Sequence, residues 1–145
     1  MATTPTTLPC PFCQALEHRI FAQTELAIAL WDGYPVSPGH ALIIPRRHIA
    51  SWFESTEQEQ SALLALVTKA KAVIDQRHRP DGYNIGINSG AAAGQTVFHL
   101  HIHLIPRFIG DVDDPRGGVR HVIPAKAIYE MELDKELIPD RGSDK

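Results

Sequence analysis

The sequence predicts one α+β domain in which a mainly antiparallel sheet of five strands is covered by one long helix. Two observations predict it: five short apolar runs have strand character, and one longer stretch has helical spacing. The chain has 145 residues, enough for one domain with a core. Its 43% hydrophobic and 21% charged residues exclude general disorder, and its net charge of -3 gives no indication of a nucleic-acid partner.

The first three strands are short. Residues 20–23 and 26–30 are apolar runs separated by Thr24 and Glu25, which indicates a hairpin. Residues 32–39 form a loop by composition, because they are rich in glycine, proline and aspartate. Residues 40–46 are predicted as the third strand, ended by Pro45 and a basic pair.

The long helix is predicted after a capping box in which Ser55 or Thr56 precedes Gln58 or Glu59 by three residues. Six apolar residues then fall on one helical face: Leu63, Leu66, Val67, Ala70, Val73 and Ile74. Pro80 stops the helix. Residues 83–88 alternate apolar and small or polar types, which predicts a fourth strand, and residues 98–107 are predicted as a fifth.

An uncharged run extends from Gly82 to Pro106 and is long enough to span a bilayer. It contains asparagines, a glutamine, histidines and glycines, which hydrocarbon would not tolerate, so we expect no membrane association. The first nine residues lack both the basic start and the apolar block of a secretory signal, and we therefore predict a cytoplasmic protein.

Cys10 and Cys13 form a C-P-F-C pair, which is typical of a redox dithiol or of half a metal site. A redox pair would follow a strand and open a helix, whereas this one follows a Thr/Pro-rich segment. Zinc binding requires two further ligands. Until they are found, two incidental small residues in a loop remain an alternative.

Three histidines, His99, His101 and His103, alternate with aliphatic residues in the predicted fifth strand. A period of two places the imidazoles on one face, and because burying three ionisable rings without partners is costly, that face should line a cleft. Two chemistries fit. The rings could bind a catalytic zinc, or one neutral imidazole could attack phosphorus as a nucleophile.

The loop before this strand, residues 88–96, is rich in glycine and alanine. Small residues let backbone N–H groups approach a phosphate, and Asn88, Gln95 and Thr96 supply neutral side-chain donors. The loop is not a Walker A motif, because Gln95 stands where the lysine would be. An ordinary flexible turn would explain the glycines but not the donors beside the histidines.

Two segments together resemble the histidine triad (HIT) family of nucleotide hydrolases and transferases. Residues 94–105, GQTVFHLHIHLI, resemble its signature of three alternating histidines, and residues 38–48, PGHALIIPRRH, resemble its upstream strand. The resemblance implies a HIT-like fold with a short helix beside the long one. It extends from about Cys10 to Arg107, so we expect a single domain over 1–145 with a core at about 10–107 and a C-terminal extension at 108–145.

By this resemblance, His101 is the nucleophile that attacks the α-phosphate of a nucleotide. His103 and His40 would hydrogen-bond the phosphate and the leaving group. The phosphate oxygens would be held by Gln95, Thr96 and Asn88. Asp32 stands where the family grips the ribose hydroxyls, although a turn-forming role before Gly33 is its alternative.

The resemblance also implies a structural zinc, with no organic cofactor. Its ligands would be Cys10, Cys13, His48 and His99, a closed Cys₂His₂ set. His99 would then be structural, and the catalytic-zinc interpretation of the three histidines would lose a ligand.

The implied activity is hydrolysis of a nucleotide or dinucleoside polyphosphate through a nucleotidyl-histidine intermediate. Alternatives are a nucleoside phosphoramidase, a nucleotidyltransferase or phosphorylase, or a nucleotide-binding sensor or adaptor with incidental turnover. Arg116 and Arg120 could meet extra phosphates or pair with nearby aspartates. We also expect a homodimer that pairs through the long helix and the neighbouring sheet edge.

Overall fold

The computed structural model describes residues 9–15 and 17–129. It divides into two compact units, Met1–Val112 and Asp113–Lys145. The described part of the second unit contains two 3₁₀ helices, Gly118–Val122 and Pro124–Lys126. The first unit holds the regular elements, which are β1 (Ile20–Gln23), β2 (Ala27–Trp31), β3 (Ala41–Pro45), α1 (Glu57–His78), β4 (Gly82–Ile87) and β5 (Ile102–Arg107).

The five strands form one sheet in the order β1-β2-β3-β5-β4, and every neighbouring pair is antiparallel. The predicted α+β fold is therefore confirmed. Where a short helix was expected beside α1, the described residues form 3₁₀ helices at Glu17–Arg19 and Trp52–Glu54. No helix in the described parts of the chain is long and apolar enough to cross a bilayer.

Helix α1 begins at the predicted capping box. Thr56 accepts from the backbone N–H of Glu59, whose carboxylate accepts from the N–H of Thr56 in return. The helix ends at His78, and its C-cap residue, Arg79, has a left-handed φ of 48° just before Pro80. The face of α1 that carries Leu63, Leu66 and Ile74 packs against one side of the sheet, so α1 does not cover the opposite side.

The fifth strand is shorter than predicted. Residues 98–101 are not part of the sheet, because the backbone N–H of Leu100 donates at 2.6 Å to the carbonyl of Ile49, which lies outside the neighbouring strands. The prediction that the strand begins at residue 98 was therefore wrong, and His99 and His101 precede β5. Only His103 lies inside it.

Candidate active site and metal cluster

The sheet register places His103 on the side of the sheet opposite α1. In β5, His103 lies across from Leu42 of β3 and from Gly86 of β4. The ring centroids of His101 and His103 are 5.1 Å apart, so the two imidazoles are neighbours as expected. Asn88 directly follows β4, whose last residue, Ile87, pairs with Ile102, the residue after His101.

His101 is buried, with 9% of its surface exposed, and its Nδ1 lies 2.8 Å from the backbone carbonyl oxygen of His99. A carbonyl only accepts, so Nδ1 carries the proton and donates it. In the neutral ring Nε2 is then an unprotonated lone pair. Among the described residues, nothing hydrogen-bonds this Nε2, and it is chemically available as a nucleophile.

The backbone also determines the tautomers of His40 and His103. The N–H of Val36 donates to Nδ1 of His40 at 3.1 Å, so the neutral His40 ring carries its proton on Nε2. That Nε2–H donates at 3.0 Å to Nδ1 of His103, which must therefore be the bare nitrogen. His103 consequently presents Nε2–H as a donor, the opposite of His101.

Burial depresses the pKa of this pair. The pKa of His103 falls to about 4, first because of burial and then because of the nearby His101 and His40. Burial likewise lowers the pKa of His40, although the Asp32 carboxylate opposes the shift. At neutral pH both rings are uncharged, so they can donate hydrogen bonds to an anion without a fixed positive charge.

Asp32 has the turn-forming role considered for it and also lies beside His40. Its Oδ1 accepts from the N–H of Tyr34 at 2.7 Å, which is an Asx turn, while its Oδ2 lies 3.3 Å from Nε2 of His40. Asp32, His40 and His103 are close enough to share a metal ion. The N–H of Val36 argues against one, because a metal on Nε2 of His40 would require a proton on Nδ1, facing another donor.

The phosphate-loop candidates fall into two groups. Gln95 is 4% exposed, and its amide accepts from the N–H of Gly90 at 2.8 Å while donating to the carbonyls of Ala50 and Val97. The buried Gln95 side chain therefore stabilises the conformation of the 88–96 loop. The side chains of Asn88, which is half-buried, and Thr96, which is exposed, have no hydrogen-bond partner among the described residues and can face a ligand.

The four predicted metal ligands, Cys10, Cys13, His48 and His99, form a compact cluster. Nδ1 of His48 lies 3.1 Å from Sγ of Cys13 and 3.2 Å from Nδ1 of His99, and both sulfurs lie 3.5 Å from Nδ1 of His99. Tetrahedral zinc with its usual bond lengths separates such ligand atoms by about 3.3–3.8 Å, a range that contains the two sulfur–His99 distances, whereas the two distances from His48 are slightly shorter. The spacing and the two-thiol, two-imidazole donor set therefore fit a metal ion of that kind.

His99 connects this cluster of candidate metal ligands to His101. Its Nε2 lies 2.8 Å from the carbonyl oxygen of Pro45 and donates to it, which leaves Nδ1 bare for a metal. Burial lowers its pKa, against the opposing effect of that carbonyl. The backbone oxygen of the same residue accepts from His101. One residue therefore offers a candidate metal-ligand nitrogen through its side chain and orients the His101 ring through its main chain.

Sequence reasoning missed three groups that complete the site. Phe12, between the two cysteines, has its ring centroid 5.0 Å from that of His101 and 5.9 Å from that of His99. Its position as the apolar residue inside C-P-F-C was the available signal. The N–H of Val36 and the carbonyl of Pro45 are backbone groups, which no side-chain pattern could have indicated.

The arginines considered for extra phosphates have partners of their own. Arg116 pairs with Asp114 at 2.8 Å, the alternative weighed from the sequence. Arg120 donates to the backbone carbonyls of Lys126 and Ala127 and lies 4.5 Å from the ring centroid of Tyr129.

Comparisons with known proteins agree with this geometry. The HIT domain family matches residues 14–110. The AP-4-A phosphorylase of Mycobacterium tuberculosis is 37% identical over 98 residues, which are 67% of this chain and 50% of that protein. The bis(5′-nucleosyl)-tetraphosphatase [asymmetrical] of Schizosaccharomyces pombe is 38% identical over 96 residues, 66% of this chain and 53% of that one.

Among solved structures, a zinc-bound histidine triad family protein from Mycobacterium smegmatis is 31% identical, with a TM-score of 0.63 over 71% of this chain and 78% of that one. The family match covers most of the core unit and includes all three alternating histidines. The chain therefore belongs to the HIT family.

Proposed function

We propose that the protein is a nucleotide hydrolase that acts at the α-phosphate of a dinucleoside polyphosphate through a nucleotidyl intermediate on His101. The observation that carries this proposal is the 2.8 Å hydrogen bond from Nδ1 of His101 to the carbonyl of His99, since it leaves Nε2 as the nucleophilic lone pair. The two relatives named for AP-4-A and for bis(5′-nucleosyl) tetraphosphate support the substrate class.

The reaction has two displacements at phosphorus. In the first, the Nε2 lone pair of His101 forms a P–N bond as the P–O bond to the leaving phosphate breaks, and the ring becomes cationic. The carbonyl of His99 stabilises that charge through Nδ1–H. In the second, water forms a P–O bond, the P–N electrons return to Nε2, and the proton of the water passes to solvent.

Neighbouring side chains stabilise the negative charge on the α-phosphate and the leaving group and bind the ribose. The Nε2–H of His103, with His40 behind it, donates to the leaving-group oxygen as negative charge develops there. Asn88 and Thr96 donate to the α-phosphate oxygens, and Gln95 keeps the loop in shape. The carboxylate of Asp32 accepts from the ribose hydroxyls.

Zinc is the metal we propose for Cys10, Cys13, His48 and His99, on the strength of the donor set and the zinc-bound relative. When bound, it supplies a cross-link between the N-terminal segment and the segment before β5. Since all four positions are taken by protein ligands, the site has none left for a substrate or a reacting water.

A homodimer is the assembly we propose. Strand β4 is a sheet edge on which Ile85 and Ile87 are 51% and 37% exposed, and Leu64 on α1 is 56% exposed. Apolar side chains on an unpaired edge favour pairing with a second copy. Light scattering should give twice the chain mass, and a monomeric mass would contradict the proposal.

One incubation tests the activity. The protein is mixed with diadenosine tetraphosphate, with and without inorganic phosphate, and separately with adenosine phosphoramidate. We expect AMP and ATP from the tetraphosphate. ADP formed only with added phosphate would identify a phosphorylase instead, which the similarity to AP-4-A phosphorylase makes the second candidate.

Exclusive cleavage of the phosphoramidate would identify a phosphoramidase. Binding without turnover of any substrate would identify a sensor or adaptor. A labelled adenylyl group that remains on wild-type protein after acid-free quenching, and is missing from His101→Ala, would support the covalent step.

A further inference from the structure

An open groove of about 360 Å³ lies beyond the histidines and has no role in the steps above. We call it the Phe108 groove. Its apolar walls are provided by five side chains: Val36, Pro38, Ile105, Phe108 and Val112. A space of this size with mostly apolar walls is at the small end of pockets that hold organic ligands.

The groove continues the line of the candidate site. Ile105 follows His103 by two residues in β5, so the two side chains share a face and lie about 7 Å apart. Gly86 lies across from His103, and a side chain built there would meet nothing within 4 Å. The β4 side of His103 is therefore open.

The charges at the groove are neutralised. Nε and Nη2 of Arg107 each donate to the Asp111 carboxylate at 2.8 Å, and its Nη1 donates to the side-chain oxygen of Asn84 at 2.7 Å. A phosphate would have to compete with the bidentate Asp111 carboxylate for this guanidinium. The groove is therefore better suited to a flat, uncharged group, with the amide nitrogen of Asn84 as a donor at its edge.

We propose that the Phe108 groove binds the nucleoside of the leaving group, the half of a dinucleoside polyphosphate that is not transferred to His101. Displacement at phosphorus places the leaving oxygen opposite the attacking nitrogen, so it faces away from His101, toward His103 and the groove. The base would stack on the half-buried ring of Phe108. This inference rests on the proposed function and adds to it a second nucleoside site.

The test compares two substrates that donate the same adenylyl group but differ in leaving group. Diadenosine tetraphosphate loses ATP, whereas adenosine phosphoramidate loses ammonia. We expect Phe108→Ala to lower kcat/KM for the tetraphosphate about tenfold, because the stacking surface is lost, and to change kcat/KM for the phosphoramidate less than about twofold. Phe108→Leu, which keeps the apolar volume but not the ring plane, should behave in the same direction.

Ile109→Ala is the matched control, since Ile109 is 89% exposed and does not line the groove. Equal losses on both substrates in Phe108→Ala and Phe108→Leu would overturn the proposal, because the groove would then serve the transferred half or the fold. Unchanged kinetics on both substrates would also overturn it.

A wild-type protein that turns over neither substrate would contradict the proposed function, and the groove is then judged by binding alone. Calorimetry in a His101→Asn background measures the affinity for diadenosine tetraphosphate and for AMP. Weakening of the tetraphosphate alone by Phe108→Leu supports the groove. Equal weakening of both ligands, or no weakening, overturns it.

Discussion

His99 and His103 lie four residues apart. Both carry their proton on Nε2, but His99 leaves Nδ1 free of a backbone partner, whereas His103 leaves Nε2–H free. His99 donates through Nε2 to the carbonyl of Pro45 and turns a bare Nδ1 toward the two cysteines. His103 accepts at Nδ1 from His40 and turns Nε2–H toward the open site. The same type of side chain offers a bare nitrogen, suited to a metal, at one end and an N–H donor at the other, because the partner of one nitrogen decides what the second can do.

His101, between these two ends, shares the nitrogen pattern of neither. It donates through Nδ1 and keeps Nε2 bare, so it is the one histidine of the three that we propose as the nucleophile. The sequence shows three identical residues at alternate positions. Their hydrogen-bond partners in the fold give the three rings different free nitrogens.

The largest effect is expected at this central histidine. His101→Asn removes the nucleophile, and we expect kcat for nucleotide cleavage to fall at least about a thousandfold, with nucleotide affinity within about tenfold, because the binding donors lie elsewhere. Steady-state kinetics and calorimetry measure both. His18→Ala, at an exposed histidine, is the control. Undiminished cleavage in His101→Asn would end the nucleophile hypothesis.

The metal end is tested by the double variant Cys10→Ser and Cys13→Ser. We expect one zinc per chain in the wild type and none in the variant, with a melting temperature lower by at least about 5 °C, since a metal cross-link is lost. Elemental analysis and calorimetry report these values. His103→Asn, at the other end, should keep its zinc. A wild type purified without zinc would contradict the assignment.

The phosphate end is tested through a backbone group. Val36→Pro deletes the N–H that sets the tautomer of His40, and we expect kcat to fall about tenfold as the donor chain to His103 loosens. Val36→Ala keeps the N–H and shortens only a side chain at the wall of the Phe108 groove, so its kcat should fall less than that of Val36→Pro.

Long-range ¹H–¹⁵N spectra of the histidines provide the direct readout for this donor chain. They should show bare Nδ1 on His40 and His103 in the wild type and in Val36→Ala. A protonated Nδ1 on His103 in the wild type would refute the tautomer assignment.

The smallest effect concerns the pH dependence of stability. The pKa of His103 is about 4 in the fold and near 6.5 when unfolded, so between these pH values the unfolded chain binds more protons. Stability should therefore fall as the pH is lowered from 7 to 5, by about 1 kcal/mol for this partly exposed ring. Urea titrations measure it. His103→Gln should flatten the slope, whereas His18→Gln should not.

Much of the fold could be predicted from local pattern. The range of β1, the start of α1 at Thr56 and its end before Pro80 follow from alternation, capping and proline, which act between residues close in the chain. The start of β5 could not be predicted, because the apolar alternation continues through Leu100 while its N–H bonds to Ile49, about fifty residues away.

The candidate site divides in the same way. The residue types that suit phosphate and metal chemistry stand out in the sequence, but Gln95 has the same donor chemistry as Asn88 and only its burial commits its amide to the loop. The rings of Phe12 and His101 likewise meet only because the fold brings together segments far apart in the chain.

The sequence by itself determined the α+β class, the alternating histidines and the family, since each depends on residue type and spacing along the chain. Only the tertiary structure decided which nitrogen of each histidine is free, because that depends on a carbonyl from Pro45, an N–H from Val36 and a carbonyl from His99. Nearly every residue has the same backbone N–H and C=O groups, so the order of side chains does not show which of these groups will contact a given histidine in the fold.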